Sequence, residues 1–280
     1  MPITEQENAE LRRIAKEIRL DIVEVTSASG GAHIGGALSM LDILVILYWK
    51  YMNNDPSNPE WEDRDRVVLS KGHGGVGHAV LLAHRGYFEK ERLREFNQTN
   101  SMLGMHLDAS KVPGVEVSTG SMGHGFGQAL GLALGARVMG KPWNVYTVIG
   151  DGESCEGSIW EAGMAAAHYK PNNLIGFLDR NRLMIDGPTE EVMSLEPVAE
   201  KWKAFGWETR EIDGHDFYAL SEGIEFAQQH DAGPVMLVCD TVKGKGVDFM
   251  ENDPAWHYGG LSSELVEQAK QSLERMYSHG

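Results

Sequence analysis

Residues 144–160 read NVYTVIGDGESCEGSIW. An apolar run ends at Gly150, and Asp151 follows between two glycines, before a segment that can start a helix. A run of consecutive apolar residues is typical of a strand that is buried on both faces of a parallel sheet. Glycines let the backbone approach a neighbour closely, and a helix start favours an anion. The stretch therefore predicts a carboxylate at the end of a parallel strand, close to a ligand.

Four further segments have strand-like composition, and helical segments separate most of them. They read RVVLS (66–70), NLIGFLD (173–179), WETREI (207–212) and PVMLVCDT (234–241). The chain contains no internal repeat, low-complexity tract or long linker. We therefore predict one α/β domain over residues 1–280, with a doubly wound, mostly parallel sheet and helices on both faces. In such sheets, ligands bind beyond the carboxyl ends of the strands.

Two helices are predicted before the first strand. An apolar stripe at steps of three and four residues indicates an amphipathic helix that stops at SASGG (27–31); its members are Leu11, Ile14, Ile18, Ile22 and Val25. Ser39, followed three residues later by Asp42, resembles a capping box that opens a second helix.

Composition disfavours several classes of partner, while a local basic site for a small anion stays possible. The formal net charge of -16 disfavours non-specific binding to nucleic acid or to anionic lipid. The longest apolar stretch, residues 43–52, is broken by Lys50 and is too short to span a bilayer. Cys155 and Cys239 match no CxxC pattern, and the sequence shows no secretory leader, so we expect two free thiols in a reducing cytoplasm.

The segment GHGGVG (72–77) satisfies the glycine pattern of dinucleotide-binding loops, after a strand and before an apolar helix. His73 occupies a crowded turn position in it, however. The residues about twenty further on, KERLREF (90–96), resemble a surface helix rather than a strand that ends in a ribose-binding acid. The sequence therefore disfavours a nicotinamide cofactor.

A second glycine cluster, STGSMGHGFGQALG (118–131), combines small residues with the start of an apolar helix. Its backbone N–H groups can cradle an anion or flank a flat ring. Close packing of a helix is the alternative explanation for the same glycines.

Asp151 and Asn181 stand thirty positions apart, each at the end of a predicted strand. One strand–helix–strand unit fits this spacing, so both side chains should emerge at the same sheet edge. A carboxylate, a side-chain amide and the carbonyl near Leu183 would suit Mg²⁺, with a diphosphate and water as its other ligands. A turn at Asp151 and a strand-end cap at Asn181 are the alternatives when each residue is taken singly.

The stretch from Gly150 to Gly187, with GDG followed by Asn181, resembles the thiamine diphosphate motif. Four segments with histidines, GAHIGGALS (31–39), LSKGHGGVGHAVL (69–81), GMHLDAS (104–110) and DPAWHYGG (253–260), resemble the amino-terminal half of transketolase in order. The resemblance extends from the first helix to His257. The chain is therefore similar to the cofactor-diphosphate-binding subunit of a split transketolase.

This resemblance implies a role for each matching residue. Its metal ligands would be Asp151, Asn181 and the Leu183 carbonyl, around Mg²⁺, Ca²⁺ or Mn²⁺. Contacts to thiamine diphosphate would come from His73, Gly120, Met122, Gly152, Glu153, Asn181, Ile185, Lys243 and His257. The catalytic histidines would be His33, His73, His106 and His257, of which His33 and His106 would contact sugar hydroxyl groups.

Other polar residues are given plainer roles. We expect ordinary core or helix-end histidines at His84, His168, His215, His230 and His279. Glu156 matches an acid at the interface between subunits, and a first-turn helix acid is its alternative. His124 stands where full-length transketolases commonly have glutamine.

The implied function is transfer of a two-carbon ketol unit from a ketose phosphate to an aldose acceptor, with thiamine diphosphate as the electron sink. The implied partner is a separate carboxy-terminal transketolase subunit, in an α2β2 assembly without nucleic acid or membrane. Three alternatives stay open: the alpha subunit of a 2-oxo acid dehydrogenase, a transketolase for a specialised sugar, and a catalytically silent binding subunit. The sequence does not identify the ketose donor or the aldose acceptor.

Overall fold

Five strands form one sheet, and each neighbouring pair of strands runs parallel. The computed structural model describes residues 3–278 of the chain. The strands are β1 (Arg66–Leu69), β2 (Val145–Gly150), β3 (Leu174–Arg180), β4 (Glu208–Asp213) and β5 (Val235–Asp240), in the spatial order β1-β2-β3-β5-β4. All five predicted strands are confirmed.

Ten helices surround the sheet within residues 3–278. They are α1 (Glu5–Ala28), α2 (Ile34–Ser39), α3 (Leu41–Ile46), α4 (Gly75–Arg85), α5 (His124–Met139), α6 (Gly157–Tyr169), α7 (Thr189–Val192), α8 (Val198–Phe205), α9 (Phe217–Gln229) and α10 (Ser263–Ser278). A π-helical turn at Leu47–Tyr51 and four 3₁₀ turns complete the connections, the latter at Gly72–Gly74, Lys90–Glu95, Glu153–Cys155 and Pro254–His257.

The core lies on both faces of the sheet. On one face, Tyr146, Val148 and Phe177 pack against α1 to α4 and α9, in the larger cluster of buried residues. On the other, Val145 and Ile149 pack in a cluster with residues of α5, α6 and α8. Every residue of β1, β2 and β3 is buried, because helices cover both sides of the sheet. The predicted α/β fold class is confirmed, and the single domain over residues 1–280 stays a prediction.

Helix α1 follows the predicted stripe, since Leu11, Ile14 and Ile18 are buried along it. It begins with a reciprocal capping box between Thr4 and Glu7.

The predicted capping box at Ser39 and Asp42 is wrong. Ser39 is the last residue of α2, and no side chain caps the start of α3. Both side chains are buried, so they bond to distant partners instead: the Ser39 hydroxyl donates to Asp179 at 2.6 Å, and Asp42 pairs with Arg19. Tertiary burial has overridden the local signal.

The glycines of residues 72–77 serve close packing. A Cβ at Gly72 would lie 2.5 Å from the Thr119 hydroxyl, and one at Gly75 would lie 2.5 Å from the Met105 carbonyl. Lys90–Glu95, further on, is a 3₁₀ turn rather than a strand. Close packing therefore accounts for these glycines without a bound dinucleotide.

The strand register aligns the carboxyl ends of the central strands. Gly150 of β2 lies opposite Asp179 of β3, and Arg180 lies opposite Asp240 of β5. The residues that follow these strands therefore leave the sheet side by side at one edge.

Both cysteines are free thiols, as predicted, with Cys155 exposed and Cys239 buried. Within residues 3–278, every helix is too short or too polar to cross a bilayer. His279 lies outside the described residues.

His78 of α4 provides a pH test of the core. Its Nε2 lies 3.0 Å from the Tyr48 hydroxyl, and burial lowers the pKa of His78 to about 4. In the unfolded chain the pKa is about 6.5, so only the unfolded state gains a proton between these values. The stability that the neutral ring contributes is full above pH ~6.5 and is lost as the pH falls towards 4.

We expect His78→Gln to reduce the pH dependence of the unfolding free energy between pH 6.5 and 4.5 by up to about 1.4 kcal/mol per pH unit. Glutamine can keep a hydrogen bond to Tyr48 but does not titrate. Chemical denaturation at several pH values measures how the unfolding free energy changes with pH. His168→Gln, which replaces an exposed histidine, is the control. Identical slopes for wild type and His78→Gln would contradict this interpretation.

Candidate functional site

A cavity of about 220 Å³ lies at the carboxyl edge of the sheet. Ten of the predicted site residues line it: His73, Met122, Asp151, Gly152, Glu153, Asn181, Leu183, Ile185, Lys243 and His257. Two larger grooves of about 440 Å³ each are lined largely by charged side chains; one lies beside α1 and the Lys90–Glu95 turn, and the other lies at the ends of β3, β4 and β5. The smaller cavity is the better candidate because it brings ten of the predicted site residues together at the strand ends, where parallel sheets bind ligands.

The Asp151 carboxylate is buried at the floor of the cavity, with the residue only 2% exposed. One oxygen accepts the Gly152 N–H at 2.7 Å, and the other accepts the Arg182 N–H at 2.5 Å and lies 3.2 Å from Arg180 Nη1. Burial, and then the negative charge of Asp179, raise the pKa of Asp151. The cavity floor would therefore be stabilised by a further cation.

Two more oxygens line the same cavity. The Asn181 side-chain oxygen accepts the Leu183 N–H at 3.1 Å, and the Leu183 carbonyl accepts a hydrogen bond from Lys243 Nζ at 3.1 Å. With Asp151 they form a set of a carboxylate, an amide and a carbonyl. Such a set fits a hard cation that takes its other oxygens from a ligand and water. Within residues 3–278, no group of three or more His, Cys, Asp or Glu side chains could hold a metal ion.

A buried ion pair that the sequence analysis missed lies under this set. Lys71 Nζ contacts the Asp179 carboxylate and donates to the Gly36 carbonyl at 3.1 Å. Burial alone would raise the pKa of Asp179, but Lys71 and hydrogen bonds from Ser39 and Thr241 hold that pKa below its ordinary value. The position of Lys71, two residues after the end of β1, was the available signal, since residues at strand ends lie at the ligand edge.

Lys243 is a second buried cation, with only 2% of the residue exposed. Its Nζ lies 3.0 Å from His257 Nδ1, besides its bond to Leu183. Burial, and then the charge of Lys71, lower the pKa of Lys243 to about 8. Lys71 is paired with Asp179, whereas Lys243 bonds to a carbonyl and an imidazole, so Lys243 presents an ammonium group to a cavity that Asp151, Glu153 and Asp186 also line. An anionic group bound next to Lys243 would be stabilised by this charge.

The four predicted catalytic histidines lie together. The ring of His33 is 5.5 Å from His73, 6.0 Å from His106 and 5.4 Å from His257, measured between centroids. Burial is the first cause that lowers the pKa of His33 to about 4 and of His257 to about 3, and it lowers the pKa of His73 well below its ordinary value. At neutral pH these three rings are uncharged, so each can donate or accept a hydrogen bond.

Two further features of this cluster bear on ligand binding. His33 Nδ1 is buried without a hydrogen-bond partner among residues 3–278. The Tyr258 ring, absent from the predicted set, lies 5.0 Å from His33 and is 49% exposed. A buried nitrogen without a partner is costly unless a bound group satisfies it.

Gly120 packs beneath His106 rather than lining the cavity itself. It has a φ of +153°, and a Cβ there would lie 3.2 Å from the His106 ring. Glycine therefore allows the loop to pass close to that imidazole. Met122 and Ile185 form part of the cavity rim, where they are 41% and 63% exposed.

The Glu153 carboxylate is already committed to the protein. It accepts hydrogen bonds from the Ser70 hydroxyl at 2.5 Å and from the Gly123 and Gly150 N–H groups at 2.8 and 2.9 Å. Glu153 therefore links the end of β2 to the loop before α5. Its contact with the cofactor stays a prediction.

The residues with plainer predicted roles lie outside the cavity. His84 pairs with Asp21 at 2.6 Å, and His230 caps the end of α9. Glu156 precedes α6 and is exposed, without a side-chain capping bond, so its role between subunits stays a prediction. His124 begins α5. His215 makes buried contacts that a plain role does not explain.

These features define a class: a parallel α/β domain with a ligand-sized cavity at the carboxyl ends of its strands. A family model described as "Transketolase, thiamine diphosphate binding domain" matches residues 10–276. The chain belongs to this family, and its cofactor is thiamine diphosphate. The resemblance, the fold and the function of a transketolase subunit predicted from the sequence are confirmed.

Two similar subunits agree with this chain in length, and a longer transketolase agrees with it in fold over part of its own chain. The chain is 42% identical over 270 residues to the 6-deoxy-6-sulfo-D-fructose transketolase subunit of Clostridium sp., covering 96% of this chain and 98% of that one. It is 39% identical over 266 residues to a subunit of the apulose-4-phosphate transketolase of Actinobacillus succinogenes, covering 95% and 96%. A transketolase structure from Pichia stipitis, with sedoheptulose-7-phosphate, matches with a TM-score of 0.90 and 30% identity, over 95% of this chain and 41% of that one.

Removing the charge of Asp179 should destabilise the folded chain. We expect Asp179→Asn to lower the free energy of unfolding by about 3–5 kcal/mol, because Lys71 would stay buried without its counter-ion. Chemical denaturation measures the change. Glu200→Gln, which removes an exposed pair with Lys203, should leave the stability unaltered. Equal effects of the two variants would contradict the assigned importance of the buried pair.

Proposed function

We propose that this chain is the cofactor-diphosphate-binding subunit of a transketolase that transfers a two-carbon ketol unit from a ketose phosphate to an aldose. The observation that carries the proposal is the cavity that joins Asp151, Asn181 and Leu183 to the buried lysines and neutral histidines. This reaction needs three features: oxygen ligands for a cation, positive charge next to a diphosphate, and uncharged imidazoles that bond to hydroxyl groups.

Asp151, Asn181 and the Leu183 carbonyl would hold the metal ion, for which we propose Mg²⁺, with Ca²⁺ or Mn²⁺ as substitutes. Lys243 and His73 would face the diphosphate, and Gly152 would let the backbone approach it. A Cβ at Gly152 would lie 3.2 Å from the Met184 side chain, so the cavity wall is closely fitted there.

Thiamine diphosphate, when bound, supplies the electron sink for cleavage of the bond beside the ketose carbonyl. The chain's own residues position the sugar and handle its protons. His33, His73 and His257 are uncharged at neutral pH and can exchange a proton with a hydroxyl group through hydrogen bonds. His106, beside His33, would contact the sugar from the exposed side of the cluster.

The proposed partner is a separate carboxy-terminal transketolase subunit, in an α2β2 assembly. The length of this chain supports a separate partner. The chain spans nearly all of two relatives that are named as subunits, but only 41% of the Pichia stipitis transketolase. The exposed apolar rim around Ile185 and Met122 is suited to a protein surface that covers the cavity. The free thiols accord with a cytoplasmic location.

For the substrate we propose a sugar that carries an anionic group remote from its carbonyl. Two similar subunits are named for sugars of this kind, a sulfonated fructose and apulose 4-phosphate. The histidine cluster of this chain would recognise the hydroxyl groups near the bond that breaks. The anionic end would be bound by the partner protein.

Asp151→Ala should abolish Mg²⁺-dependent binding of thiamine diphosphate to the full chain. Without the carboxylate, the cation would lose its only charged ligand in the proposed set, and the diphosphate would lose its counter-ion. Isothermal titration calorimetry with and without Mg²⁺ measures both affinities. Asp248→Ala, an exposed aspartate paired with Arg275, is the matched control and should bind normally. An unchanged affinity in Asp151→Ala would refute the metal assignment.

The isolated chain should lack ketol transfer, and adding the partner protein should restore it. Production of the new ketose from a ketose phosphate and an aldose, measured in a coupled assay, tests this. In the restored complex, His106→Ala should lower kcat/KM by about 10²-fold or more with little loss of cofactor affinity. His168→Ala, on an exposed ring far from the cavity, is the control. Full turnover by the isolated chain would contradict the need for a partner.

A further inference from the structure

The segment after β5 carries Lys243 into the cavity, and a buried cluster holds this segment from behind. The cluster consists of Arg19 on α1, Asp42 on α3 and His215 before α9. The Arg19 side chain is fully buried, and its two terminal nitrogens lie 2.8 and 2.7 Å from the two Asp42 oxygens. Planar pairing of this kind fixes the carboxylate.

His215 connects the pair to the active-site segment. Its Nδ1 lies 2.8 Å from Asp42 Oδ2, and its Nε2 lies 2.9 Å from the backbone nitrogen of Val242. The Val242 N–H can only donate, so Nε2 must be an unprotonated acceptor. The hydrogen of the neutral ring is then on Nδ1 and is donated to Asp42. The contacts assign one tautomer, and the other would place two donors face to face.

The same cluster also holds the far side of Lys243. Arg19 Nε lies 3.4 Å from the Lys245 carbonyl, so the backbone is held both before and after Lys243. Between these points, the Gly244 N–H donates to the Gly35 carbonyl at 3.0 Å, with Gly244 at a φ of +79°. The segment is therefore fixed by buried groups on α1, α2 and α3, rather than by the cavity it serves.

We propose that His215 is a positioning residue for Lys243: supported by Asp42 and Arg19, it sets the backbone from which the lysine reaches the cavity. This inference rests on the proposed function, in which Lys243 faces the cofactor diphosphate. It gives a role to a histidine for which the sequence predicted only a place in the core or at a helix end. Because His215 bonds to the backbone next to Lys243, it acts through the segment.

The first test compares two substitutions of His215 in the full chain. His215→Leu removes both hydrogen bonds and should weaken Mg²⁺-dependent thiamine diphosphate binding by roughly ten-fold, as loss of a supporting partner does at other metal sites. His215→Gln keeps one donor for Asp42 and one acceptor for Val242, and should recover most of the affinity. Calorimetry measures binding, and circular dichroism confirms folding. His230→Leu, at the end of α9, is the control.

A double-mutant cycle separates positioning from general support of the fold. If His215 acts through Lys243, His215→Leu should have no further effect on cofactor affinity once Lys243→Met is present. Additive losses would overturn the proposal, because they would mean that His215 acts by another route. Wild-type affinity in His215→Leu would overturn it as well.

The tautomer is measured without cofactor. ¹⁵N NMR of the wild-type chain should give a protonated Nδ1 and an unprotonated Nε2 for His215, and the opposite tautomer would overturn the inference. If the wild-type chain fails to bind thiamine diphosphate both alone and with the partner protein present, the proposed function fails instead. The NMR result then still decides whether His215 holds the segment.

Discussion

The buried ion pair between Lys71 and Asp179 is the constraint on which the rest of the site depends. Lys71 follows the end of β1, and Asp179 lies near the end of β3, two strands away. Hydrogen bonds from Ser39 and Thr241 to the same carboxylate add α2 and the end of β5 to the cluster. Four separate parts of the chain therefore converge on one negative charge. In a low-dielectric interior, that charge is tolerable only if its partners keep their positions.

Asn181 gains its orientation from this cluster. Its amide nitrogen lies 3.4 Å from both Ser39 Oγ and an Asp179 oxygen, which turns the amide oxygen towards the Leu183 backbone and the cavity. Asp151 receives comparable support from two backbone N–H groups and Arg180. The candidate ligands are thus fixed by protein contacts, and the sheet register brings them to one edge. Such preorganisation lets a cation bind without rearranging buried groups.

The sequence predicted the sheet well, because strands buried on both faces carry apolar residues at consecutive positions. It also predicted the neighbourhood of Asp151 and Asn181, since parallel strand ends share one edge. It failed where a polar residue serves a distant partner. Ser39 and Asp42 have the spacing of a helix cap, but both are buried and bond to other elements. Lys71 and His215 were missed for the same reason, because their contacts span 108 and 173 residues along the chain.

The floor of the cavity is complete in this chain, whereas its rim is open. Lys71, Lys243 and Asp151 are each at most 2% exposed, but Ile185 is 63% exposed and Tyr258 is 49% exposed. Electrostatic interactions with a ligand are strongest where water is excluded. The buried charges therefore lie where they can bind a ligand strongly, whereas solvent still reaches the rim. Burial already keeps three of the histidines uncharged before anything covers them. A partner surface that covers the rim would therefore strengthen the electrostatic interactions between the buried charges and a ligand without changing the protonation of these rings. We propose that this chain supplies the charged floor of the site and that its partner excludes the water.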